Sequence, residues 1–431
     1  MLTAQNKLSN ISRILILIGV FFSSAVIAQV NDAAELEKRL PSLKGKERVD
    51  VLDSLSYLLK RSSFEKSRTY AEEALRLSKL DGYNLGEANA LNNLGFAEYT
   101  LNNLEKAEDL YHNALSIFRE IKDEKEIART QNQLGLIHWR RNQFVSAFRR
   151  YREALNLANN SGAQELAAEA LNYIGLIYWK WSDYGKAIDY FFRSLKIKET
   201  LNDKFEIGLT LNNIAFVYNE MNQVDQSIIY SNKVLEMTDS LKNSYVLGRV
   251  LNNLGVSYFK KKNYDKATYY QNESLKIKKQ SGDKSGMAYS YNDLGNLFLA
   301  KKQYDEALVY YNRSIEIRKQ LNDKFGIASV LFDIAVVQKA KGNIKVAQTS
   351  FKSALDYALS IGNKRLEANI YRELSEINRA TGNNGLAFTY LKKYSTILDS
   401  VWSKETRDKI LELSVIYDVD SKDNELRIKN L

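Results

Sequence analysis

Hydrophobic and polar positions repeat every 40 residues along most of this chain. The block Leu91-Asn92-Asn93-Leu94-Gly95 returns as Gln131-Asn132-Gln133-Leu134-Gly135, Leu171-Asn172-Tyr173-Ile174-Gly175 and Leu211-Asn212-Asn213-Ile214-Ala215. It continues as Leu251-Asn252-Asn253-Leu254-Gly255, Tyr291-Asn292-Asp293-Leu294-Gly295 and Leu331-Phe332-Asp333-Ile334-Ala335. Small residues recur at Ala107, Ala147, Ala187, Ser227, Ala267, Ala307, Ala347 and Ala387, with rings at Tyr111, Tyr151, Phe191, Tyr311 and Phe351. Spacings of three, four and seven belong to amphipathic helices, so each period holds two helices joined by a short polar turn such as Asn102-Asn103 or Lys302-Gln303. A fixed period of this length marks stacked units rather than one closed core, and such arrays present long surfaces for binding.

Glycine costs about 1 kcal/mol in a helix relative to alanine. Its return at Gly95, Gly135, Gly175, Gly255 and Gly295 therefore calls for close approach of two helices, and the spacing sets it opposite the alanine column twelve residues on.

These columns resemble the tetratricopeptide repeat, a helix-turn-helix unit with Leu/Gly, Tyr, Ala and Phe/Tyr columns, over residues 48–400. The resemblance implies an all-α fold, a right-handed α-solenoid of about nine helix pairs whose concave wall is lined by first helices. Two features depart from the family. The common unit has 34 residues, and it carries a proline near its end, whereas Pro41 is the only proline here and precedes the array. Apolar residues at Ile117 and Ile121, Ile197 and Leu201, and Ile317 and Leu321 predict that the second helix runs on by about one turn. Asp123, Asp203, Asn243, Asp283, Asp323 and Asn363 then stand at N-cap positions, with Ala163 the exception, and Glu126 and Glu206 are capping-box partners.

The ends differ from the array. Residues 1–28 place Lys7 and Arg13 before an apolar run closing on Val26-Ile27-Ala28, the pattern of a secretory signal peptide, with an uncleaved membrane anchor as the alternative. Residues 29–47 form an N-terminal helical cap, and 401–431 a charged helix with a sparse apolar seam. This last segment resembles the linker after tetratricopeptide arrays in bacterial membrane sensors, which implies a signalling role.

The chain has no cysteine, which excludes thiol chemistry and cysteine metal sites. Its formal charge of +10 is spread among acids, with Arg140-Arg141, Lys260-Lys261-Lys262 and Lys301-Lys302 at turns, so no concentrated nucleic-acid face is expected. The two histidines, His112 and His138, have no neighbour at metal-ligand spacing. No nucleophile, metal or cofactor motif appears, so the chain reads as a non-enzyme.

The candidate site is the wall of the first helices. Asn92, Asn132, Asn172, Asn212, Asn252 and Asn292 form one column, and Asn93, Gln133, Tyr173, Asn213, Asn253, Asp293 and Asp333 the next. Amide side chains offer both donors and acceptors, and the resemblance implies that such a ladder grips a peptide backbone. The competing reading is that these asparagines bond neighbouring helices and fix repeat geometry. Trp139 and Trp179 replace the Asn219 and Lys339 of other units and are expected as exposed anchors. The expected function is an exported scaffold that binds a peptide or protein, the sensing or adaptor part of an envelope signalling system working with a membrane-bound kinase or regulator. The alternative is a structural assembly factor.

Overall fold

The computed structural model describes residues 33–60, 63–237 and 244–399. The expected signal peptide, the C-terminal charged helix and the cap position Asn243 lie outside them. Among the described residues the chain is all-α, a solenoid of helix pairs. First helices are Gly45–Leu59, Asn84–Thr100, Glu124–Arg140, Gln164–Lys180, Lys204–Glu220, Ser244–Lys260, Lys284–Ala300, Lys324–Ala340 and Lys364–Ala380. Second helices are Phe64–Leu80, Leu104–Glu120, Phe144–Asn160, Tyr184–Thr200, Val224–Leu235, Tyr264–Gln280, Tyr304–Gln320, Ile344–Ser360 and a last one over 384–399. They form two compact units, one ending at Asn253 and one running on from Leu254.

The 40-residue period is two halves of one design. A typical helix has 17 residues, and a three-residue link follows. The second residue of the link takes a positive φ, at Asn102 (64°), Lys122 (59°), Asn142 (58°), Gly162 (69°) and so on through the array. At the first of these, Asn102 N–H donates to Tyr99 C=O at 3.1 Å and Asn103 N–H to Glu98 C=O at 2.9 Å. This is a Schellman stop, which ends a helix without the family's proline. The second helices run through Ile117, Ile197 and Ile317 before this stop, and these helices match the first helices in length. Ile121 and Leu201 are not helix interior but C-cap residues, and both are exposed.

The N-caps hold. Asp123 accepts from Glu126 N–H at 3.1 Å, Asp203 from Glu206 N–H at 3.0 Å, Asp283 from Gly286 N–H at 2.8 Å, and Asn363 from Leu366 N–H at 3.1 Å. Ala163 has no side-chain cap bond. The carboxylates expected to complete capping boxes are engaged in ion pairs, Glu126 with Arg129 at 2.9 Å and Glu206 with Lys198 at 2.8 Å.

The glycine column does pack against a neighbouring helix, but its partner is the ring column, not the alanines. A Cβ on Gly95 would lie 2.7 Å from Tyr111, one on Gly135 2.3 Å from Tyr151, and one on Gly175 2.8 Å from Phe191. The reason is size. Buried rings fill the gap between paired helices, and only glycine or a residue as small as Ala335, sixteen before Phe351, leaves room for them. Where the ring is replaced by Ser231, the facing residue is Ala215.

Candidate binding wall on the first helices

Between successive first helices, the first amide column of one repeat meets the second column of the next. Asn213 Nδ2 donates to Asn172 Oδ1 at 3.2 Å, and Asn253 Nδ2 to Asn212 Oδ1 at 2.9 Å and to its C=O at 3.2 Å. In the C-terminal unit Asn292 bonds the Asp333 carboxylate across the same step. The second column of one repeat thus pairs with the first column of the repeat before it. Asn93 also reaches back one repeat but within its own column, donating to the C=O of Asp53 at 3.2 Å. Asn132 bends the other way, to Leu166 C=O at 3.3 Å.

The ladder is therefore largely consumed within the protein. Asn132 and Asn212 are 0% and 1% exposed, and Asn92, Asn213 and Asn253 are also buried. Asn172, Asn252, Asn292, Gln133, Asp293 and Asp333 remain half-buried. Gln133 accepts a long bond from Tyr111 Oη at 3.5 Å, and Tyr173 stacks at 5.0 Å on Tyr151. Three acceptors, Oδ1 of Asn92, Asn132 and Asn292, have no protein donor.

The two tryptophans are not exposed anchors. Trp139 and Trp179 are 3% and 5% exposed. Trp139 meets Phe144 edge-on at 5.3 Å and Trp179 meets Phe216 of the next first helix at 5.2 Å. Their rings close the step between helices, and that burial outweighs any exposed use.

Residues outside both columns converge on this wall in the N-terminal unit. Arg129 and Glu169, one turn before Asn132 and Asn172, are the feature that column reading missed; the signal was a charge at a position that is Leu209 in another repeat. Arg129 bonds Glu126 at 2.9 Å and reaches Tyr57 Oη at 3.4 Å, two repeats back. Lys60 lies over the rings of Tyr57 at 3.4 Å and Phe96 at 5.2 Å. Burial raises the Glu169 carboxyl above the usual carboxylate range; the nearby Glu206 adds to the rise and Arg129 opposes it. In the C-terminal unit burial pushes Asp333 up to about 7, so the acidic column there carries less charge at neutral pH than its sequence implies.

The basic turns form an ion-paired rim. Arg141 bonds Glu108 and Glu105, the latter at 3.3 Å, Lys301 approaches Asp265 at 3.8 Å, and Lys341 pairs with Asp305. His138 bonds Gln143 at 2.7 Å. Among the described residues no three His, Cys, Asp or Glu side chains gather to hold a metal, and no helix is long and apolar enough to cross a membrane.

Known structures share this arrangement. The apo form of the quorum sensor NprR from B. thuringiensis aligns with a TM-score of 0.61 and 16% identity, covering 82% of this chain and 98% of that one. A Rap protein complexed with Competence and Sporulation Factor gives 0.55 and 16%, over 83% and 99%. A signal transduction ATPase with numerous domains from Pyrococcus horikoshii, which carries a tetratricopeptide repeat sensor, gives 0.59 and 18% over 85% of this chain but only 55% of its own length. At these identities the likeness is one of fold. No curated protein matches the sequence. The tetratricopeptide repeat profile matches residues 56–120, 126–200, 206–280, 246–320 and 286–360. With the helix pairs, the glycine–ring contacts and this match over more than half its length, the chain belongs to the tetratricopeptide repeat family.

Proposed function

We propose that this chain is an exported, non-enzymatic scaffold that binds a peptide or protein on its first-helix wall, as the sensing or adaptor part of an envelope signalling system. The observation that carries this reading is the convergence of Tyr57, Arg129 and Glu169 beside the amide ladder of the N-terminal unit. Polar and charged groups gathered from separate helices cost desolvation unless something uses them. The similar folds include a quorum sensor and a Rap protein complexed with its factor, which supports a sensing role. The signal-peptide pattern supports export, and a membrane-bound kinase or regulator is the partner class that fits both.

An envelope extract passed over the mature chain tests the reading. One partner is expected to be retained by wild type and released by Arg129→Met, with Glu169→Gln intermediate. Equal retention by all three, each with an unchanged helical melting curve, refutes the wall as a binding surface. Export is tested separately by N-terminal sequencing, which is expected to begin at Gln29; an intact Met1 refutes it.

A further inference from the structure

A pocket of about 520 Å³ opens in the N-terminal unit between the second helix Tyr184–Thr200, the first helix Lys204–Glu220 and the second helix Val224–Leu235. Its floor is apolar, with Phe192 and Tyr230 edge-on at 5.8 Å and Leu211 beneath them. Lys196, Lys204 and Lys233 stand around it against one carboxylate, Glu199. Lys233 lies 4.8 Å over the Tyr230 ring. The ammonium groups of Lys196 and Lys204 have no ion-pair partner among the described residues.

Leu is the common residue at the Leu211 position, as at Leu91, Leu171, Leu251 and Leu331; what sets this seam apart is the helix Val224–Leu235, 12 residues long against 17 for Tyr184–Thr200. Two repeats on, in the C-terminal unit, Tyr291 stands where Leu211 stands here. Its ring lies 6.3 Å from that of Tyr310, the counterpart of Tyr230. Arg313, the counterpart of Lys233, lies 5.8 Å from both rings. The same position that is filled there by a ring and a guanidinium is left here as a void with lysines at its rim. Lys204 and Leu211 sit two turns apart on the helix flank facing the second helices, whereas Asn212 and Asn213 bond the neighbouring first helices. This pocket is therefore separate from the amide wall.

We propose that this pocket binds a small monocarboxylate carrying one aromatic or branched apolar group. The ring or branch takes the space that Tyr291 fills in the other seam, and the carboxylate meets Lys196 and Lys204. A volume of this size is that of small-ligand sites, which pair an apolar lining with a few placed charges. The lysines are at the surface, so their share is modest and salt-sensitive.

Fluorine NMR of the full mature chain with 4-fluorophenylacetate, and with its neutral amide as control, provides the test. The acid is expected to bind about tenfold more tightly than the amide, and added salt to narrow the gap. Lys196→Gln with Lys204→Gln is expected to erase that preference while weak binding of both persists. Leu211→Tyr, the residue of the closed seam, is expected to abolish binding with an unchanged urea midpoint. Equal affinity for acid and amide, undiminished binding to Leu211→Tyr, or no binding of either at millimolar concentration overturns the proposal. If Leu211→Tyr unfolds the chain, Leu211→Phe takes its place with the same expectation. None of these outcomes bears on retention of a partner by the amide wall.

Discussion

One column of the first helices behaves differently in the two units. In the N-terminal unit it is Tyr99, Trp139, Trp179 and Asn219, all buried. In the C-terminal unit the same positions are Phe259, Leu299 and Lys339, all half-buried, and the exposed Arg379; Lys339 forms ion pairs to Glu373 at 2.8 Å and Glu376 at 3.1 Å. The register is identical, so backbone geometry does not decide between a dry seam and a wet one. Side-chain reach does. An indole at residue 179 spans to Phe216 on the next helix and expels water, whereas an ammonium at residue 339 needs water or acids around it.

The sharpest way to break this comparison is truncation at both positions. Trp179→Ala is expected to destabilise the N-terminal unit by about 3–5 kcal/mol, the cost of an unfilled aromatic site. Lys339→Ala is expected to cost less than about 1 kcal/mol, because its ion pairs are partly solvated. Urea denaturation of both variants measures the difference; comparable losses would mean that the column has one role throughout.

The glycine column gives a second contrast. Gly135 faces the rigid Tyr151 ring, while Gly255 faces Gln271, whose amide would lie 2.7 Å from an added Cβ. Gly135→Ala is expected to cost about 1–3 kcal/mol through overpacking. At Gly255→Ala the buried Gln271 chain, whose Cγ would also lie 2.8 Å from the added Cβ, must shift, and the gain in helix propensity of about 1 kcal/mol offsets part of the crowding. Hydrogen exchange over 124–160 should quicken in the first variant, and exchange over 244–280 should change less in the second.

Asn253→Ala removes two hydrogen bonds to the preceding first helix. A loss of about 1–2 kcal/mol is expected, from the bonds and from the acceptors left buried. An exposed ladder residue would change stability by no more than about 0.5 kcal/mol, so thermal unfolding of this one variant tells a structural asparagine from a free one.

What the sequence showed and what it hid follow from the same physics. Helices, turns and N-caps are local, and each leaves a mark within a few residues: Asp123 three before the N–H it caps, Asn102 at the one conformation that ends a helix without proline. The contacts between helices are not local. The spacing marked Gly135 as a close approach but not Tyr151 as what approached, because twelve and sixteen residues on both fall on the second helix. Nor could spacing tell that Asn213 reaches back to Asn172 rather than out to a ligand, since an amide suits either use. Arg129 and Glu169 went unread because their column changes character from repeat to repeat, through Asn89, Arg129, Glu169, Leu209 and Arg249; Arg129 acts through a contact across repeats, that with Tyr57.

The smallest effect separates two acids of the ladder column. Asp53, at the front of the N-terminal unit, is buried, and burial, then the neighbouring Asp50 charge, raises it from 3.8 to about 8 against the opposing pull of the Asn93 amide. Asp333, in the C-terminal unit, is raised by burial to about 7 and is held lower by its bond from Asn292 and by Arg318. A raised carboxyl keeps its proton in the folded chain after the unfolded chain has lost it. Stability therefore falls as pH climbs from the unfolded value to the folded one, and is flat above it. Asp53→Asn removes this loss, so it should stabilise by at least about 1 kcal/mol at pH 8 and have little effect near pH 4. Asp333→Asn should give a smaller gain, because its carboxyl is half titrated near pH 7 and the loss levels off about a unit above that. Between pH 7 and pH 8 both benefits should still grow, that of the first variant by more. Urea midpoints at pH 4, 7 and 8 read this directly. Parallel curves for the two variants would mean that the two acids are raised alike.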